Sequence, residues 1–113
     1  LMTKQPGQQS RGSTSGRPIM VLLDVLGQKW TLRILWELYQ SDRPITFRAL
    51  REKCDAVSPT SLNARLKNLR ELAFVELGSD GFSLTTKGEE LTQRFIDLDC
   101  WAEDWAKQLE QKD

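Results

Sequence analysis

From Ser58 to Asn68 the chain sets out hydroxyls on Ser58, Thr60 and Ser61, carboxamides on Asn63 and Asn68, and cations on Arg65 and Lys67, with no acid among them. Hydroxyls and amides hydrogen-bond base edges and cations bind phosphates, so this mixture suits a nucleic acid. The spacing says where the groups point. Leu62, Leu66, Leu69 and Ala73 recur at three or four residues and share one helix face. At about 100° per residue from Leu62, the residues Thr60, Asn63, Ala64 and Lys67 lie on the opposite face, with Ser61 and Asn68 flanking it. Arg65 falls toward the shoulder of the apolar face, where a phosphate contact and a structural ion pair are both open. Arg48, on the helix before, joins these residues as a candidate DNA contact.

Other chemistries find less to work with. The chain has no histidine, which removes the commonest general base and metal ligand. Cys54 and Cys100 fall in separate predicted helices without the close pairing of a zinc or redox motif. Cys54 reads as a small buried apolar residue, while Cys100 could meet its twin across a two-fold axis. Asp97 and Asp99 are too close in sequence to share a helix face, and Glu89 and Glu90 suit the start of a helix. No enzyme activity, metal or cofactor is expected.

A core must be built from about 95 residues once a polar leader, residues 1–16, is set aside as a disordered arm or cloning remnant. A domain of that size buries only about two-thirds of its unfolded surface, which makes help from a second copy plausible. The longest apolar run, Ile19 to Leu23, cannot span a bilayer, and the first residues lack the apolar core of a secretory signal, so a cytoplasmic setting without membrane is expected. Net charge is zero, yet residues 1–77 carry +5 and the remainder −5. A basic DNA-facing surface can therefore coexist with an acidic body.

The elements follow from local signals. Pro18 suits a first helical turn, and Ile19, Met20, Val21, Leu22, Leu23, Val25 and Leu26 cover nearly the whole circumference of a helix ended by Gly27. Such a helix needs cover on every side. A second helix is expected from about Lys29 to Gln40, with Trp30 and Trp36 as packing residues; Arg43-Pro44 breaks the chain, and Ile45 to Phe47 suit a very short edge strand. A third helix, about Phe47 to Cys54, buries Phe47, Leu50 and Cys54, and Asp55-Ala56-Val57 turns the chain. Ser58 caps the fourth helix and Pro59 opens it. Strands at Phe74 to Leu77 and Phe82 to Leu84 flank a four-residue turn, Gly78 to Gly81. In the last helix Leu91, Phe95, Leu98, Ala102, Trp105 and Leu109 form one stripe with Trp101 on its shoulder, and Ile96 and Cys100 lie nearly opposite. One surface is assigned to the chain's own core and the other to a partner subunit.

The segment Leu26-Gly27-Gln28-Lys29-Trp30-Thr31-Leu32-Arg33-Ile34-Leu35 resembles the opening of the HxlR-type winged helix-turn-helix regulators, within the MarR-like superfamily. The resemblance continues through Phe47 to Arg51, Val57-Ser58-Pro59, Leu62, Arg65-Leu66-Lys67, Leu69 and Leu84-Thr85-Thr86-Lys87-Gly88. It covers roughly Pro18 to Trp105 of a domain expected to occupy residues 17–113, and it implies a bacterial-type transcription regulator, mainly α with a small antiparallel β wing and dimeric through its first and last helices. It also implies that Ser58 to Asn68 enter a major groove. Three positions depart from the family pattern. Arg17 stands where many members carry a sensing cysteine, the turn Gly78 to Gly81 is short and carries Asp80, and Gln28 replaces the second glycine of a pair, with only a local bend expected to change.

The combined expectation is a homodimer that binds double-stranded DNA at an inverted repeat. Its interface is drawn from Ile19, Leu22, Leu23, Leu26, Ile96, Cys100, Trp101 and Trp105. A small-molecule effector has a natural place in a pocket lined by Trp30, Trp101 or Trp105. A winged helix serving only as a protein-interaction module is the alternative. The zero net charge and the acidic turn favour it, but it calls for an apolar outer face where Thr60, Asn63 and Lys67 stand.

Overall fold

The computed structural model describes residues 5, 6 and 17–111. Of the expected arm only Gln5 and Pro6 fall within them; the rest lies outside the described residues. The order of elements is α1 (Pro18–Leu26), α2 (Thr31–Gln40), α3 (Phe47–Lys53), α4 (Pro59–Glu71), β1 (Val75–Gly78), β2 (Gly81–Leu84) and α5 (Thr86–Gln111). This is a mainly α winged helix-turn-helix.

α1 starts with Pro18 at its first turn and closes where the Gly27 N–H donates to the Leu23 carbonyl at 2.9 Å. Val21, Val25 and Leu26 face inward, whereas Ile19 and Leu23 are about half exposed at 47% and 54%. The all-round apolar helix is thus covered on one side. α2 begins two residues later than its sequence suggests, because Trp30 takes a left-handed φ of 79° that no helix can include. Ile34 and Leu35 are fully buried at the centre of the core, together with Leu50, Cys54, Leu62 and Leu69.

Thr46 caps α3 by accepting from the Ala49 N–H at 3.2 Å. The turn into α4 puts both Asp55 and Ala56 at φ 56°, a conformation costing an L-residue about 1–2 kcal/mol. Two arginines hold it. Arg33 Nη1 meets Asp55 Oδ2 at 3.1 Å, its Nη2 donates to the Lys53 carbonyl at 2.6 Å and its Nε donates to Glu37 at 2.8 Å, while Arg51 Nε donates to the Val57 carbonyl at 2.7 Å. Val57 is buried beneath them.

β1 and β2 pair antiparallel from Val75 opposite Leu84 to Gly78 opposite Gly81, so the loop proper is only Ser79-Asp80 rather than four residues. Ile45 adds a single bridge, exchanging two 2.8 Å hydrogen bonds with Phe82. Gly81, at φ 133°, permits this approach, since a Cβ there would lie 2.5 Å from the Ile45 carbonyl oxygen. Thr85 starts α5: its Oγ1 accepts from the Gly88 N–H at 3.0 Å and donates to the Ala73 carbonyl at 2.7 Å.

Three packing expectations are corrected. Ala73 does not continue the buried face of α4, because the helix stops at Glu71 and Ala73, at φ 64°, turns out to solvent. Trp36 is 44% exposed rather than a core residue, since it lines an open groove between α2 and α5 and lies outside the buried cluster. The stripe on α5 divides along the helix axis instead of around it. Leu91 and Phe95 pack on the core, whereas Leu98, Trp105 and Leu109 are exposed because the 26-residue helix outruns the body beneath it.

Candidate nucleic-acid interface

The outer face of α4 is built from its N-terminus upward. Ser58 Oγ accepts from the Ser61 N–H at 3.1 Å and donates to Ser61 Oγ at 3.0 Å, which caps the helix and fixes where it begins. Leu62, Leu66 and Leu69 bury the opposite side. Between these constraints Thr60, Asn63 and Lys67 stand exposed on one face, with Ala64 half-buried among them. Nothing in the described chain roofs that face. Lys67 has no acidic partner among the described residues, so its charge is open to a phosphate.

The flanks behave differently. Ser61 is tied to Ser58, and Arg65 and Asn68 both lie on the flank facing the α1–α2 corner, where they donate to Gln28 Oε1 at 2.6 and 3.1 Å. Arg48 is exposed at the start of α3, 3.9 Å from Glu52. Sequence reasoning missed Arg70, one turn on from Lys67. With Asn63, Ala64, Leu66, Lys67 and Phe82 it lines a depression of about 460 Å³ between α4 and the hairpin. On a helical wheel Arg70 sits only about 20° from Asn63, a signal that was there to be used. Gln28 was also missed as a partner of this helix; its effect reaches beyond a local bend.

The hairpin from Val75 to Leu84 carries Glu76 and Asp80 and no Lys or Arg. Both acids are exposed, so the wing presents negative charge where a phosphate backbone would be repelled. Among the described residues no group of three or more His, Cys, Asp or Glu converges on one point. Burial pushes the Cys54 thiol above its ordinary value, with Arg33 opposing the shift, so it stays neutral and unreactive.

A second surface is apolar. Trp101 and Trp105 are exposed and stacked, their ring centres 6.1 Å apart and 14° from parallel. Cys100 is exposed beside them and Ile96 half-buried. Leu32 and Trp36 of α2 face Phe95, Ile96, Leu98 and Ala102 of α5 across a groove of about 460 Å³. Leu22 packs against the core and Leu26 lies within it at 8% exposure, so Leu26 offers little surface to a second chain. Trp30 packs on the core and does not line this groove.

The family model for HxlR-like helix-turn-helix proteins matches residues 25–110. No curated protein matches. Among solved structures, quinone-bound YodB from B. subtilis is 29% identical, with a TM-score of 0.70 over 76% of this chain and 96% of that one. A possible HxlR family transcriptional factor from Thermoplasma volcanium GSS1 is 26% identical, with a TM-score of 0.67 over 76% of this chain and 82% of its own.

Proposed function

The chain belongs to the HxlR-like helix-turn-helix family of DNA-binding transcription regulators, and from that premise we propose that it acts as a homodimer with α4 in the major groove of an inverted-repeat site. One observation carries this reading: the exposed face of α4 is Thr60, Asn63 and Lys67, polar and free of acid, while its leucines are buried. Thr60, Asn63 and Ser61 are the base readers, and Lys67, Arg70 and Arg48 supply charge to the backbone. Ser58 begins a helix whose free N–H groups favour a phosphate at that end. The acidic wing stays off the DNA or touches it only through its backbone.

Dimerisation is supported by the apolar surface of α1 and α5. Ile19, Leu23, Trp101 and Trp105 are all more than 45% exposed, which a lone protomer leaves in water. A two-fold axis between α5 helices brings two copies of α4 to successive major grooves about 34 Å apart. A small apolar effector fits the same region: the groove between α2 and α5 lies within the usual size range of ligand pockets, and YodB is a quinone-bound relative. A sensing cysteine at position 17 is not available, since that residue is Arg17.

The test is a fluorescence-anisotropy titration of duplexes selected from a random pool, run beside sedimentation equilibrium. Selected sites with two-fold symmetry, bound by two chains per duplex, are the expected outcome. Indifference to every duplex at low salt would instead point to a protein-interaction module.

A further inference from the structure

Gln28 stands at the corner between α1 and α2, and its backbone is pinned on both sides. Its N–H donates to the Val25 carbonyl at 3.1 Å, and its own carbonyl accepts from the Thr31 N–H at 3.3 Å. From that base its side chain reaches α4, where the single oxygen Oε1 accepts from Arg65 Nη1 at 2.6 Å and from Asn68 Nδ2 at 3.1 Å. One carbonyl oxygen has two lone pairs, so both donors are met.

The chemistry of the partner matters more than the reach. Arg33 and Lys87 each lie within 3.1 Å of a carboxylate, so part of their charge is offset locally. Arg65 is held by a neutral amide and has no acidic partner among the described residues. It keeps its full charge, and four of its five N–H donors remain for another acceptor. An arginine already held in one rotamer loses less freedom on binding than one that is free.

We propose that Gln28 is a positioning residue that aims Arg65 at a backbone phosphate beside the major groove without neutralising it. The proposal rests on the DNA-binding reading above.

Four variants and the wild-type protein test it, each titrated against one duplex between about 50 and 200 mM salt. Gln28→Glu keeps the shape and both accepted hydrogen bonds but places a negative charge on Arg65. Each subunit then neutralises one phosphate fewer, at roughly 0.9 in slope apiece, so the salt slope of a dimer should fall by about 1.8 and its deficit against wild type should narrow about tenfold over that range. Gln28→Leu removes the acceptor but leaves the cation, so the slope should persist while affinity drops by only a few-fold. Arg65→Ala should match Gln28→Glu in slope, and the double variant should lose no more than either. Thermal melts separate these changes from unfolding, and a structural role for Gln28 alone would lower the melting temperature without moving the slope. Equal slopes for wild type and Gln28→Glu, or additive losses in the double variant, would overturn the proposal while the DNA reading survives. A wild-type chain that ignores all duplex DNA would overturn both.

Discussion

Gly88, the first glycine after the hairpin, is where α5 crosses the chain that leaves α4. An ideal Cβ placed there would sit 2.0 Å from the Phe74 carbonyl oxygen, 3.0 Å from its carbon and 3.2 Å from Leu84 Cδ2. The first two atoms belong to backbone that is itself anchored, because the Phe74 carbonyl accepts from the Thr85 N–H at 3.0 Å. A side chain cannot simply swing aside. Gly88→Ala must move the start of α5 away from the Ala73–Phe74 turn, straining the Thr85 bonds that begin the helix. Overpacking of this kind costs about 3 kcal/mol at the upper end of its usual range. Alanine regains about 1 kcal/mol through helix propensity, leaving a net loss of about 2 kcal/mol. For a domain this size each kcal/mol moves the melting temperature by about 4–8 °C, so a fall of roughly 8–16 °C is expected in a calorimetric scan. Gly78→Ala is the control, since nothing lies within 4 Å of a Cβ there. A Gly88→Ala melting temperature equal to or above wild type, as for an unobstructed helical glycine, would refute this account of why α5 packs where it does.

Lys67→Ala removes an exposed, unpaired cation from the centre of the α4 face and should lower the dimer's salt slope by about 1.8, with the thermal melt unchanged; an unaltered slope would move Lys67 out of the interface. Leu23→Glu and Trp105→Glu put charge on surfaces 54% and 51% exposed, so each should leave the helical circular dichroism intact while sedimentation shifts to a single chain and DNA affinity collapses. Iodoacetamide at mildly alkaline pH should alkylate Cys100 and spare Cys54 until denaturant is added. The buried Cys54 thiol is an acid whose value is raised on folding. Its contribution to stability is therefore complete below the ordinary 9.0 and declines as pH climbs from there toward the raised value, a loss that denaturant midpoints should show in wild type and not in Cys54→Ala.

Much of the architecture was legible in the chain because its signals act within a turn or two. Pro18, Ser58-Pro59 and the glycines at 78 and 81 mark starts and turns by their own backbone chemistry, and the structure has elements beginning or turning at each of them. The leucine spacing of α4 similarly determined which face is buried and left Thr60, Asn63 and Lys67 outside. Helical periodicity is a property of the segment alone, so it survives whatever the rest of the molecule does.

Tertiary structure decided the rest, for a different reason in each case. How far along α5 the apolar stripe is covered depends on where the body of the protein ends, so Phe95 packs and Trp105 does not, although both occupy the same stripe. Trp36 looked like core because periodicity marks a residue as apolar-faced without saying whether anything lies opposite. The grip of Gln28 on Arg65 and Asn68 joins residues 37 and 40 positions apart, and no local pattern encodes a hydrogen bond that exists only after α1, α2 and α4 have packed. The chain by itself specified its helices, its turn and the polar face of α4; only folding chose which cations on that helix stand free and which are held.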